Sequence, residues 1–497
     1  MKTKLRKTYS KMKQINKSKA DLLEPGGSEA NAAAYEFSAH WQQICNSYLP
    51  FNSDGTFWRF SRQTKPGEPA QGWKLHISAT VLEACDLFEK VAPLLVSRDV
   101  RFKAPESLKE LIKINSGLDY GYWQVGKFLT VYPSTEAEAV ELARQIHDLT
   151  REFISIAVPF DEQYLPDSSV FYRYGAFEEI EMKTESGVTL PAVRNLSGEL
   201  VHDDRLRAVP EWLADPFRAA SEINEAESEE VETPLLTTYK VFRAITQRGK
   251  GGTYQALDLS TNPPRFCIVK EGRRHGEVFW NGQDGYELTK NEKNVLESLS
   301  KIYKGVPQYF SSFEAFGNFY LVMEYVDGKS LRELMKFRAR RFSIKQVLAY
   351  AVKIAGIIEE IHKAGWIWND CKPANLIVTR DKSLRPIDFE GAYRTNGTAP
   401  FDWKSRGFSK PGKMRSSAET DDLYALGAVI YFLLTGRYYD ANKPVAIEKL
   451  RRGVPQQLKK IVANLLKGHV TNKNGEAAKI RRKLEKILSS SEFEPRA

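Results

Sequence analysis

Polar and apolar residues alternate through Gly72-Trp73-Lys74-Leu75-His76-Ile77-Ser78, the two-residue period of a strand with one buried face. That period puts Lys74 and His76 on the same face, about 7 Å apart at their Cα atoms. An unbroken apolar run, Phe266-Cys267-Ile268-Val269, reads as a more deeply buried strand and ends in Lys270. Before it, residues 239–245 read as a strand, the glycine-rich 249–254 as a turn, and 255–258 as the returning strand. Helical spacing replaces alternation at Glu292, Val295, Leu296 and Leu299, and again over 354–362. Residues 422–434 are apolar almost throughout, which makes that helix a core element.

Length and charge change this picture in three ways. A chain of 497 residues is too long for one core, so two domains are expected. The six acids and no base of 221–232 mark a linker, which divides the chain into a unit at 31–220 and a unit at 235–490, with a short tail at 491–497. The net charge of +10 is partly local, since residues 1–20 carry eight Lys/Arg and no acid. Residues 1–30 read as a solvated basic arm, and nucleic acid is not an expected partner. Just before the linker, the two prolines and two aromatics of Pro210, Trp212, Pro216 and Phe217 suggest an ordered segment docked on the first unit. Cys45, Cys85, Cys267 and Cys371 are far apart, so neither a disulfide framework nor a zinc site is expected and a reducing cytosol fits. No apolar run has the length of a membrane span, and no apolar segment of a secretion signal follows the basic start. A cytoplasmic protein is the expectation.

Chemistry is densest in Trp368-Asn369-Asp370-Cys371-Lys372-Pro373-Ala374-Asn375, followed thirteen residues later by Asp388-Phe389. Phosphoryl transfer asks for one carboxylate to orient and deprotonate a hydroxyl, and for oxygen ligands to hold magnesium on a triphosphate. Asp370 suits the first task and Asn375 with Asp388 the second, while Lys372 is placed to neutralise the moving phosphoryl group. Gly249, Gly251 and Gly252 let backbone approach phosphate oxygens that a Cβ would obstruct. Lys270 is the candidate phosphate lysine, Glu292 its helix partner, and Met323-Glu324-Tyr325-Val326 a hinge-like segment whose Glu324 and Val326 would flank ATP. Asp422 opens the apolar helix as a candidate brace for the loop around Asp370. In this order the set resembles protein kinases over residues 239–490, with departures at Trp368-Asn369, at Glu390 after Asp-Phe, and in the lack of an Ala-Pro-Glu motif.

In the first unit, a lysine beside a histidine can act as base and acid if nearby cations or burial lower the lysine's pKa. Candidate cations are Lys103, Lys127 and Arg173. Taken alone, a solvent-facing Lys/His pair on a strand is the plainer reading. The phrases Gln71-Gly72-Trp73-Lys74-Leu75-His76, Phe102-Lys103, Gly126-Lys127-Phe128 and Phe171-Tyr172-Arg173-Tyr174-Gly175 resemble the lyase domain of class III lanthipeptide synthetases, which is similar to phosphothreonine lyases and joined to a kinase in this order. The resemblance implies an α+β lyase-like domain followed by a bilobal kinase fold. It implies β-elimination of phosphate from phosphoserine or phosphothreonine, with Lys74 as base, His76 as acid and Lys103, Lys127 and Arg173 holding the phosphate. It further implies ATP and Mg2+ as cofactors and a precursor peptide with a leader as substrate. The family's cyclase domain is not found before Ala497, so ring closure is expected of a separate cyclase. Two other readings stay open: a Ser/Thr kinase whose first domain only binds phosphopeptides, and a pseudokinase scaffold.

Overall fold

The computed structural model describes residues 28–52, 55–220, 233–336, 341–397, 399, 405, 407–410, 418–469 and 475–490. The basic stretch 1–20, the acidic stretch 221–232 and the tail 491–497 lie outside the described residues.

Antiparallel pairing joins seven strands of the first unit in the order Phe51–Asn52, Trp58–Phe60, Arg101–Pro105, Leu129–Tyr132, Gln71–Ile77, Val170–Ala176, Glu162–Gln163. Alternation along the central strand decides what each face does. Trp73, Leu75 and Ile77 point into a core shared with Phe102, Val131 and Tyr172 from neighbouring strands. The same core takes Leu87 and Phe88 of the helix Ala84–Ser97, and Leu142 and Ile146 of Glu136–Thr150. Helices gathered on one face of an antiparallel sheet make this an α+β unit. The opposite face is roofed by a small sheet of Glu181–Lys183, Thr189–Arg194 and Leu200–His202. Two aromatics of the segment before the linker pack on this unit. Phe217 stacks on Tyr172 at 3.9 Å between ring centroids, and Trp212 meets Tyr174 edge-on.

The second unit begins with a five-stranded antiparallel sheet ordered Tyr239–Arg248, Gly251–Asp258, Arg265–Gly272, Asn318–Glu324, Tyr309–Ala315. The glycine-rich turn is tighter than its sequence suggests, because pairing continues to Arg248 opposite Gly251. Helix Gly285–Ile302 lays Val295, Leu296 and Leu299 against Ile268 and Leu321 of this sheet. A helical lobe follows. Ile344–Lys363 starts on a capping box between Ser343 and Gln346, which satisfies two backbone N–H groups at the helix start. It packs on the apolar helix Ala418–Thr435, whose residues 423–434 are all buried. The loop 368–375 runs between the short strands Trp366–Ile367 and Leu376–Thr379, at the join of the two lobes. The units also touch directly: Trp280 packs on the core of the first unit and stacks on Phe37 at 5.9 Å. No helix among the described residues is long and apolar enough to cross a membrane.

Candidate functional site

Strand register gathers the cations of the first unit. Lys74 lies opposite Arg173, His76 opposite Thr130, and Thr130 opposite Lys103. Residues paired across antiparallel strands share a face, so these side chains stand together on the face turned away from the core. With Lys127 and Arg205 they line a cavity of about 620 Å³ under the small sheet.

The charges within it are unequally balanced. Lys127 Nζ is 3.2 Å from Asp161 and Arg173 Nη2 donates to Asp203 at 2.9 Å, whereas Lys103 stands over the Trp58 ring at 4.4 Å. Lys74 has no hydrogen-bond or ion-pair partner among the described residues. Burial, then the charges of Lys103, Arg173 and Lys127, hold Lys74 down to about 7. Near neutral pH it is therefore poised between its charged form and a free amine able to take a proton. The His76 Nδ1 bonds to Asp161 Oδ2, which leaves Nε2 as the ring nitrogen available to the cavity. Burial keeps the imidazole neutral, pushed down to about 3 against the pull of Asp161. Burial would push the Asp161 carboxyl up, but His76 and Lys127 outweigh it and keep it ionised.

Asp161, Asp203 and Arg205 were not singled out from sequence. All three lie on irregular segments outside the strands and helices, where no period announces which way a side chain points. A cluster of buried cations requires acids nearby, but that requirement does not say which acids.

In the second unit Lys270 Nζ donates to Glu292 Oε2 at 2.6 Å and to Asp388 Oδ1 at 3.1 Å. Glu292 is fully buried, and its other oxygen accepts from the Phe389 N–H at 2.8 Å. Burial would discharge Lys270, but Asp388, Glu292 and Glu390 together hold it firmly protonated. Asp370 receives Lys372 Nζ at 2.7 Å, Asn375 Nδ2 at 2.8 Å and the Ser405 hydroxyl at 2.8 Å. Burial, opposed by Lys372, raises its carboxyl above the usual carboxylate range, which favours a base. Because the Asn375 amide nitrogen is spent on Asp370, its carbonyl oxygen is the atom left for a cation. With the Asp388 carboxylate it makes a donor set suited to magnesium.

The departures from the kinase pattern have visible consequences. Asp422 accepts from the backbone N–H of both Trp368 (2.9 Å) and Asn369 (2.7 Å), and faces His362 Nε2 at 2.9 Å. The Trp368 indole donates to the Asp388 carbonyl at 3.0 Å and its ring stacks on Phe389, while Asn369 Nδ2 donates to the Gly391 carbonyl. These two residues brace the segment that carries Asp388, a residue held in the left-handed region at φ 68°. Glu390 pairs with both Lys270, at 2.8 Å, and Lys250 of the glycine turn.

The other predicted nucleotide-site residues also have close neighbours within the protein. A Cβ on Gly251 would lie 1.9 Å from the Glu271 carbonyl and one on Gly249 1.7 Å from the Asn115 carbonyl, so protein backbone itself requires glycine at both. A Cβ on Gly252 would meet the Tyr254 hydroxyl at 2.2 Å. The Glu324 carboxylate is turned away to a two-pronged pair with Arg385, at 2.7 and 2.8 Å, and Val326 follows on the connection out of the sheet.

Comparison with known proteins agrees with this division. The family described as "RamC, N-terminal domain" matches residues 51–229, and "Protein kinase domain" matches residues 249–491. The chain joins a RamC N-terminal domain to a protein kinase domain. A probable SapB synthase from Streptomyces coelicolor is 28% identical over 394 residues, covering 76% of this chain and 41% of that protein. Serine/threonine-protein kinase F from Synechocystis sp. is 29% identical over 233 residues, 42% of this chain and 46% of that one. The chain thus spans less than half the length of these curated relatives. The cation-lined cavity lies in the RamC N-terminal domain. The Lys270, Asp370 and Asp388 constellation lies in the kinase domain, whose kind uses ATP and Mg2+.

Proposed function

We propose that the chain dehydrates serine and threonine residues of a precursor peptide in two steps, phosphorylation and then elimination. In the kinase domain Asp370 orients the peptide hydroxyl and takes its proton as the oxygen attacks the γ-phosphorus of ATP, the bond from that phosphorus to the bridging β-phosphate oxygen breaks, and ADP leaves. Lys270 and the glycine turn hold the phosphates, and Lys372 offsets charge on the group in transit. Asp388 and Asn375 would hold magnesium, which would supply positive charge against the nucleotide phosphates.

In the RamC N-terminal domain Lys103, Lys127, Arg173 and Arg205 hold the phosphate of the modified residue. Lys74 removes the Cα proton, the electron pair left behind forms the Cα–Cβ double bond, and the Cβ–Oγ bond breaks. The departing phosphate takes its proton from His76 Nε2. A phosphate dianion brings two negative charges to the imidazole and so offsets the burial that otherwise keeps it neutral. Asp161 fixes the ring orientation throughout. The products are dehydroalanine or dehydrobutyrine and inorganic phosphate.

Support comes above all from Lys74, a lysine without a hydrogen-bond or ion-pair partner among the described residues, set near neutrality among three cations in a cavity of about 620 Å³. The resemblance to class III lanthipeptide synthetases and the match to a probable SapB synthase support a ribosomal peptide as substrate. Intact-mass spectrometry of a Ser/Thr-containing precursor peptide with ATP and magnesium tests the proposal. The expected product is lighter by one water per modified residue. A stable gain of phosphate would instead leave a kinase whose first domain only binds phosphopeptides, and an unchanged peptide would leave neither activity.

A further inference from the structure

The glycine turn of the kinase domain is attached to the walls of the elimination cavity at two places. Helix Leu108–Ser116 stops at Gly117, at φ 69°, leaving its last carbonyls without helical donors. The Gly249 N–H fills one of these positions, donating to the Ser116 carbonyl at 3.1 Å. Next to it, the buried Asn115 side chain donates to the Ala79 carbonyl at 3.1 Å and accepts from the Gly126 N–H at 3.3 Å. Ala79 follows the strand that carries His76, and Gly126 directly precedes Lys127. The second attachment runs through Arg273, which donates to the Arg248 carbonyl at 3.3 Å and lies 5.0 Å above the Tyr122 ring. Tyr122 meets Phe160 edge-on, and Phe160 precedes the Asp161 that holds both His76 and Lys127.

At the far side of the turn the Lys250 side chain pairs with Glu390 beside Lys270, and its carbonyl accepts from the Arg273 N–H at 2.9 Å. Nucleotide phosphates reaching Lys250 and Lys270 would take the place Glu390 now fills as their counter-charge. The turn therefore has two electrostatic arrangements, and both bear on the contacts at Ser116 and Tyr122.

We infer that the RamC N-terminal domain is a working part of the nucleotide site, and that nucleotide on the glycine turn and phosphate in the elimination cavity favour each other's binding. The inference rests on the proposed nucleotide role of that turn. A ligand that orders the turn lowers the cost of ordering the segments bearing Lys127, His76 and Asp161, and linkage makes the effect reciprocal. Tyr122 acts here as a positioning residue.

Hydrogen exchange on the full chain, with and without a non-hydrolysable ATP analogue and magnesium, reads the coupling without requiring either chemistry. The analogue is expected to slow exchange severalfold at 249–253 and also at 114–128, including the Gly126 amide held by Asn115. Tyr122→Leu is expected to keep the protection at 249–253 and lose most of it at 120–128. In the Lys74→Ala variant, a phosphoserine peptide is expected to tighten analogue binding severalfold. Protection confined to the kinase domain in the wild type, or analogue affinity indifferent to the phosphopeptide, would overturn the inference. No protection at 249–253 would overturn instead the assignment of the turn to nucleotide, and the inference with it.

Discussion

Replacing Lys74 with alanine is expected to convert a dehydrating enzyme into one that accumulates phosphopeptide. The substitution removes the cavity group proposed to take the Cα proton, while the kinase domain is left as it was. A positioned base is worth about 10²–10⁴ in rate, so elimination from a phosphoserine peptide should fall by about that factor with phosphoryl transfer unchanged. The wild-type pH profile carries the same signature. Lys74 is held down to about 7, and only its neutral form can abstract a proton. Because Lys74 must be neutral and His76 protonated at once, the pH profile for elimination should be a bell rather than a plateau, with Lys74 setting one limb at about 7. Lys74→Arg, which keeps a charge that never titrates in this range, should be as inactive as the alanine variant. Mass spectrometry of the products and initial rates across pH check both. Elimination persisting in Lys74→Ala would remove Lys74 from the role of base.

Asp370→Asn is expected to abolish the first step and spare the second. Lys372, Asn375 and Ser405 all converge on this carboxylate. An amide is isosteric with it, so the loop should hold its shape while losing the ability to accept the hydroxyl proton. Phosphorylation should drop by about 10³-fold, in the range for loss of a positioned base. A pre-phosphorylated peptide given to the same variant should be eliminated at the wild-type rate. Undiminished phosphorylation would refute the role given to Asp370, and loss of both activities would mean the variant no longer folds. Together the two variants divide the proposed sequence at its intermediate.

What could be read from the chain alone follows from what spacing encodes. Alternation placed Lys74 and His76 on one strand face, and the interval from Asp370 to Asn375 to Asp388 placed a phosphoryl-transfer loop. Both are local facts about a backbone of known period. Pairing register is not local: that Lys74 faces Arg173, and Lys103 faces Thr130, depends on strands up to a hundred residues apart. Asp161, Asp203 and Arg205 were invisible because irregular segments have no period to reveal direction. Glycines at 249, 251 and 252 were legible as a tight turn, but not the reason for Gly249, which is the carbonyl of another domain. Glu390 stood out as a departure, yet only the folded chain places it between Lys250 and Lys270.

The central claim is that the cation-lined cavity breaks the bond between Cβ and the phosphate oxygen, and it can be tested apart from the kinase domain's chemistry. The wild-type protein is incubated with a synthetic phosphoserine peptide, without nucleotide or magnesium, and the peptide's mass is followed. The predicted result is loss of phosphoric acid, leaving dehydroalanine and free phosphate. A phosphopeptide that binds and stays intact would contradict it.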